Sequence, residues 1–218
     1  GHDLIIENGM STEFGDKYIV FKAENGRIGI NVAKRELPDL IVSDIMMPEV
    51  DGVELCAEIK GNIQTSHIPI ILLTAKVAVK FQLSGLNAGA DDYISKPFDI
   101  QILKTKIDNV INSRKLLQEK FSQEFKVEPS QITITSYDKS FLEAAIQYIE
   151  ENLTESKISI DEFAEKMNMS RATLYNKINA LIGKPVNEFI VSIRLKRAAQ
   201  IFQTGNFSVN EVAYKTGF

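Results

Sequence analysis

Asp44 closes an apolar run, Leu40-Ile41-Val42-Ser43, and is followed by Ile45-Met46-Met47-Pro48-Glu49 and then by Asp51-Gly52. A carboxylate left at the end of such a run can act as a nucleophile. Attack on a phosphoryl group needs a divalent cation to screen like charges, and a hydroxyl and a cation for the transferred oxygens. Thr74 and Lys96, each ending a further apolar run, supply the last two, and Glu7 is a candidate ligand for the metal. A second constellation lies near the C-terminus. Helical spacing there turns Leu174, Ile178 and Leu181 inward and leaves Arg171, Ala172, Tyr175, Asn176 and Asn179 outward. Asparagine bonds adenine edges in pairs, tyrosine and alanine meet thymine methyls, and Arg171, Lys177 and Lys184 are candidate phosphate anchors. Arg194, Lys196 and Arg197 follow on a later helix; Arg194 and Lys196 are further candidate phosphate contacts, while Arg197 lies near the apolar face.

These groups need elements that aim them. Four short apolar runs, at 18–23, 40–43, 70–73 and 93–95, read as buried parallel strands. Between and after them, residues 27–36, 53–60, 77–87 and 100 to about 124 have helical spacing, which predicts a doubly wound α/β sheet. Chemistry in such sheets sits beyond the carboxyl ends of the strands, which is where Asp44, Thr74 and Lys96 fall. The alternation stops in a polar stretch with Pro129, and every later segment is helical. The expected division is 1–126 for the α/β domain, 127–140 for a linker and 141–218 for an all-α domain. Ser159 with Glu162, and Ser170, announce helix starts, while Gly183 and Pro185 announce a stop. A short helix, a turn at Asn168 and Met169, and a second helix give helix-turn-helix spacing. Residues 159–169 repeat at 208–218, and a long helix from about Val186 to Thr204 joins the two units, with Leu195, Ala198, Ala199 and Phe202 on one face.

Composition agrees with two ordinary globular domains: 218 residues, 44% hydrophobic and 25% charged, with one cysteine, Cys56, which excludes an intrachain disulfide and a thiolate zinc cluster. No apolar run approaches the roughly 18 residues of a membrane span, and a cytoplasmic location is expected. Net charge is −4. Its distribution is uneven: residues 138–165 carry 2 basic and 8 acidic side chains, and residues 166–218 carry 8 basic and 2 acidic. The cationic end suits a polyanionic partner.

The Ser43-Asp44-Ile45-Met46-Met47-Pro48 run, Asp51-Gly52, Thr74-Ala75, Gly89-Ala90-Asp91-Asp92-Tyr93 and Lys96-Pro97-Phe98 together resemble the receiver domain of the CheY-like superfamily, of flavodoxin-like fold. The resemblance implies that Asp44 accepts a phosphoryl group from a phosphohistidine, that Thr74 and Lys96 bind it, and that Tyr93 reports it by rotating. It also implies a cis Lys96–Pro97 bond and magnesium held by Glu7, Asp44 and the Met46 backbone carbonyl. Asn8 stands where a second acid is usual, which predicts a weakened metal site. Residues 159–218, with Met169-Ser170-Arg171-Ala172-Thr173-Leu174-Tyr175, Gly183 and Arg194-Leu195-Lys196-Arg197-Ala198, resemble an AraC-type DNA-binding domain. The pairing is similar to the C-terminal end of hybrid two-component sensors, in which kinase, receiver and DNA-binding domain share one membrane-anchored polypeptide.

The expected function is a phosphorylation-controlled, sequence-specific DNA-binding regulator, not an enzyme, partnered by duplex DNA, a histidine kinase domain of the same polypeptide, and a second copy as a homodimer. Two alternatives are a phosphate-independent receiver that only scaffolds dimerisation, supported by Asn8, and a phosphohydrolase of the haloacid dehalogenase type. The hydrolase would want an aspartate two positions after Asp44, where this chain has Met46. Ten residues separate Glu7 from Tyr18, too few for a parallel crossover with its own helix, so the first receiver helix is expected to be missing. The second recognition helix is expected to be missing likewise, beyond Phe218.

Overall fold

Alternate side chains of a strand point to opposite faces, so a strand apolar at every position must be covered on both sides. That is what the computed structural model shows for the central strands. It describes residues 2–7, 14, 17–75, 88–123, 135–205 and 207–218, with backbone alone for 2–7 and 120–123. Five strands, β1 (His2–Glu7), β2 (Tyr18–Ala23), β3 (Leu40–Asp44), β4 (Ile70–Ala75) and β5 (Asp92–Lys96), form one all-parallel sheet in the order β2-β1-β3-β4-β5. Ile41, Ile70 and Leu72 pack on one face with α1 (Gly26–Glu36) and α2 (Gly52–Lys60), through Ile30, Leu55, Cys56 and Ile59. Leu40, Val42, Ile71, Leu73 and Ile94 pack on the other with Leu103, Ile107 and Ile111 of α3 (Ile100–Gln123). The expected doubly wound α/β sheet is therefore present.

The chain divides into two units, Gly1–Leu116 and Leu117–Phe218. The expected loss of a helix between β1 and β2, and the expected helix at 77–87, lie outside the described residues. Within the β1–β2 connection, Phe14 is buried in the core on the α3 side, and Lys17 and Tyr18 both donate to Asp108 of α3, at 2.6 and 2.5 Å. The Lys96–Pro97 bond is cis.

In the second unit five helices follow among the described residues: α4 (Ser136–Glu151), α5 (Ile160–Lys166), α6 (Arg171–Ile182), α7 (Val186–Gln203) and α8 (Val209–Lys215). Thr135 caps α4, which starts upstream of the boundary that hydrophobic spacing placed at residue 141. The signalled caps form. Ser159, Ser170 and Ser208 each accept the backbone N–H three residues on, and Gly183 ends α6 with a left-handed φ of 72°. Asn168 takes a φ of 53° in the α5–α6 turn, a conformation asparagine tolerates better than most residues. Phe141, Leu142, Phe163, Leu174, Ile178, Val186 and Phe189 build the core. One expectation needs correction. The buried face of α7 is Val186, Phe189, Ile190, Ile193 and Arg194, while Leu195 and Phe202 of the expected apolar face are 51% and 44% exposed. The first two turns of α7 pack on the domain core, and that contact decides which side is buried.

Candidate functional site

Parallel registers bring three strand ends side by side. Asp44 pairs with Leu73, so Thr74 lies one step beyond it; Thr74 pairs with Ser95, and Ala75 with Lys96. The Lys96 Nζ reaches the Asp44 Oδ2 at 2.6 Å, with the carboxylate side chain 16% exposed. The Met46 backbone N–H donates to the other oxygen, Oδ1, at 3.4 Å. Thr74 is buried and its hydroxyl donates to the Ala75 carbonyl at 3.3 Å, not to Asp44.

The loop that carries Asp44 forward is tightly seated. Asp51 caps α2, its Oδ1 accepting from Val53 and Glu54 at 2.8 Å, and Glu54 reciprocates to the Asp51 N–H. Gly52 donates to the Ile45 carbonyl at 3.0 Å. A Cβ on Gly52 would stand 2.2 Å from the Asp44 carbonyl oxygen, so only glycine lets α2 start this close to the acceptor aspartate. Gly26 is a second such point, which sequence reading passed over: its N–H donates to the Val50 carbonyl at 3.2 Å, and a Cβ would lie 2.3 Å from that oxygen. Glu49 between them has a φ of 66°, a left-handed conformation that costs a side-chain-bearing residue about 1 kcal/mol or more.

Tyr93 and Thr74 share a strand parity on adjacent strands, with Tyr93 opposite Leu72 and against the α1–α2 side of the core. The Tyr93 hydroxyl is buried without a hydrogen-bond partner among the described residues, and burial, with smaller contributions from Cys56 and Asp91, pushes its pKa up to about 12. Of the metal candidates, Glu7 ends β1 next to β3 in the backbone, Asp44 and Met46 are placed as above, and Asn8 lies outside the described residues. No group of three or more His, Cys, Asp or Glu side chains disposed to hold a metal occurs among the described residues.

On α6, Arg171, Ala172, Asn176 and Asn179 are exposed and Tyr175 is half-buried, so the expected outward face is the one the helix presents. Arg171 lies 3.5 Å from Asp161 and over the Tyr175 ring. Two expected backbone contacts are overturned. Lys177 is fully buried and ion-paired with Asp138 of α4, because its position belongs to the inward face with Leu174, Ile178 and Leu181. Arg194 is also buried, donating to the carbonyls of Glu155, Ser156 and Gly217, so it fastens the loop after α4 and the end of α8 to α7. Arg197 is exposed and donates to Gln200. Lys184 and Lys196 remain half-exposed; burial first, and then the nearby charge of Lys184, hold the Lys196 pKa below the ordinary lysine value.

A parallel 2-1-3-4-5 sheet with an aspartate, a threonine and a lysine at its carboxyl rim, followed by a helix-turn-helix unit, defines the class. Comparison with known proteins gives the family. Residues 4–108 match the model for "Response regulator receiver domain" and residues 163–218 the model for "Helix-turn-helix domain". The chain is 42% identical over 201 residues to "Histidine kinase P4" of Formosa agariphila, covering 92% of this chain and only 15% of that protein's length. It is 33% identical over 208 residues to "Probable transcriptional regulator ycf29" of Pyropia yezoensis, covering 86% of this chain and 91% of that one. A solved receiver domain of a Pseudomonas aeruginosa sensor histidine kinase, with magnesium coordinated in its active-site cleft, is 28% identical with a TM-score of 0.46, over 51% of this chain and 98% of that one. The chain belongs to the response regulator family, with a receiver domain followed by a helix-turn-helix domain of AraC type. No helix among the described residues is long and apolar enough to cross a membrane.

Proposed function

We propose that this chain is the output end of a two-component phosphorelay, in which phosphorylation of Asp44 controls sequence-specific binding of duplex DNA by α6. The observation that carries the reading is the 2.6 Å contact between the Lys96 Nζ and the Asp44 Oδ2 at the rim of the sheet. An Asp44 oxygen attacks the phosphorus of a phosphohistidine, the P–N bond breaks, and the leaving imidazole takes a proton. Lys96 balances charge on the transferred oxygens. The Thr74 hydroxyl, turned to a backbone carbonyl in the resting state, rotates onto the phosphoryl group, and Tyr93, on the same parity, follows.

The oxygen donors at this rim suit a hard cation: Asp44, the Met46 carbonyl and Glu7 would hold magnesium. When bound, the ion supplies charge screening between carboxylate and incoming phosphoryl group. Met46 has a thioether where an aspartyl phosphohydrolase wants a proton donor, which favours a regulator over a hydrolase.

Arg171, Ala172, Tyr175, Asn176 and Asn179 read bases, and Lys184 and Lys196 hold phosphates. The donor is a histidine kinase domain preceding this segment in one hybrid polypeptide, placed on the cytoplasmic side. Phosphorylation favours a homodimer that aligns two DNA-binding domains. Moving such an equilibrium from 1:99 to 99:1 takes about 5.5 kcal/mol of differential stabilisation.

The test is incubation with phosphoramidate and magnesium, read by intact-mass spectrometry and by sedimentation. One phosphoryl group on the wild type, none on Asp44→Asn, and a larger particle only after phosphorylation are expected. An Asp44→Asn chain that still gains phosphate, or that dimerises as well as the phosphorylated wild type, refutes the switch.

A further inference from the structure

Lys177 and Asp138 present an energetic oddity. Both side chains are fully buried, at 0% and 1% exposure, and ion-paired to each other, with the Lys177 Nζ 5.7 Å from the Phe141 ring centroid. Burying two charges forfeits their hydration, and an apolar pair of equal volume often stabilises a core as well or better. What an ion pair adds is direction: only one mutual placement satisfies it, whereas leucine and methionine slide past one another.

The placement bears on DNA reading. Lys177 belongs to α6 and Asp138 to the first turn of α4. About the α6 axis, Lys177 lies roughly 140° to 160° from Ala172 and Asn179, at 100° per residue. The pair therefore holds the helix from the side opposite those two residues. A rotation of about 30° would carry a side-chain tip roughly 5 Å from the axis through roughly 2.5 Å, enough to break hydrogen bonds to base edges while leaving long lysine and arginine contacts to phosphates intact.

We propose that Asp138 and Lys177 are positioning residues for sequence recognition: the buried pair fixes the rotational setting of α6 and contributes to discrimination between DNA sequences, not to general DNA affinity. The proposal rests on α6 being the groove-reading helix, and the experiment separates the two. Duplexes are first selected from a random-sequence pool by the full chain phosphorylated with phosphoramidate and magnesium, and the phosphorylated form is used throughout. Affinity for the selected duplex and for a random duplex, and the salt dependence of each, are then measured for the wild type and for Asp138→Leu/Lys177→Met, with thermal unfolding alongside.

The expected result is a variant that unfolds cooperatively at an equal or higher temperature and keeps random-duplex affinity and salt slope. Its selected-to-random ratio should fall by roughly tenfold or more, about what one base contact is worth. A wild type that enriches no duplex removes the reading helix and this proposal together. A wild type that selects, with a variant that retains the ratio, overturns the positioning role alone. Should the double variant fail to fold, Asp138→Glu serves instead: it keeps the charges but adds one methylene, and an unchanged ratio overturns the proposal.

Discussion

The first turn of α2 approaches the Asp44 backbone so closely that a single added methyl group at Gly52 would sit 2.2 Å from the Asp44 carbonyl oxygen. The Asp51–Gly52 pair thus has two duties: Asp51 caps α2, and Gly52 lets the cap lie against the strand end that bears the acceptor. Gly52→Ala should push the 45–51 loop outward, costing about 1 to 3 kcal/mol, the usual range for overpacking. Phosphorylation of Asp44 by phosphoramidate should slow in parallel. Urea unfolding and the rate of mass gain check both, and an alanine variant with wild-type values for the two would mean that the loop gives way freely.

Tyr93 buries a hydroxyl that has no hydrogen-bond partner among the described residues. Removing an unsatisfied buried polar atom relieves its desolvation cost, so Tyr93→Phe should stabilise the resting receiver by about 1 kcal/mol. Denaturant midpoints at constant m-value decide this, and a loss of stability would show that the hydroxyl has a partner in solution.

Cys56 is buried beside Lys60 and Asp91, and burial, the largest cause, pushes its thiol up to about 12. Iodoacetamide at pH 8 should leave it unmodified until the receiver unfolds, because thiolate is the reactive form. The same shift sets an alkaline limit. Below the ordinary thiol pKa of 9, both folded and unfolded thiols keep their protons and pH has no effect through this group. Above it the unfolded thiol ionises and the folded one does not, so stability falls from about pH 9 until pH 12. Denaturation midpoints should therefore drop more steeply with rising pH in the wild type than in Cys56→Ala.

Arg194 and Lys184 should separate stability from DNA affinity. Arg194→Met leaves the carbonyls of Glu155, Ser156 and Gly217 without that donor and should cost about 3 kcal/mol, with the salt dependence of DNA binding unchanged. Lys184→Ala should leave stability within about 0.5 kcal/mol and lower the slope of log affinity against log salt by about 1. Thermal unfolding and binding titrations at several salt concentrations read both, and the opposite assignment would follow if Arg194→Met, while folded, reduced the slope.

Much of this molecule was legible in one dimension. Continuous apolar runs bounded by helical spacing require a parallel sheet covered on two faces, and a residue that ends each run must stand at its rim; Asp44, Thr74 and Lys96 follow from that alone. Serine caps and Gly183 mark the helix-turn-helix boundaries because backbone groups at helix ends need partners whatever surrounds them. Which cations face solvent was legible only in part. Helical spacing sets Lys177 on the inward face of α6 with Leu174, Ile178 and Leu181, a signal that its charge masked, whereas for Arg194, Lys184 and Lys196 nothing local separates a phosphate anchor from a buried tie. Asp138 lies 39 positions from Lys177, and Gly217 lies 23 from Arg194; only folding brings a carboxylate or a row of carbonyls to those cations. The same holds for Gly26 and Gly52, whose need for a bare Cα arises from the backbone of another segment. Periodicity and capping are properties of neighbours along the chain, whereas the burial of a charge and the space beside a glycine are set by distant residues, and tertiary structure alone decides them.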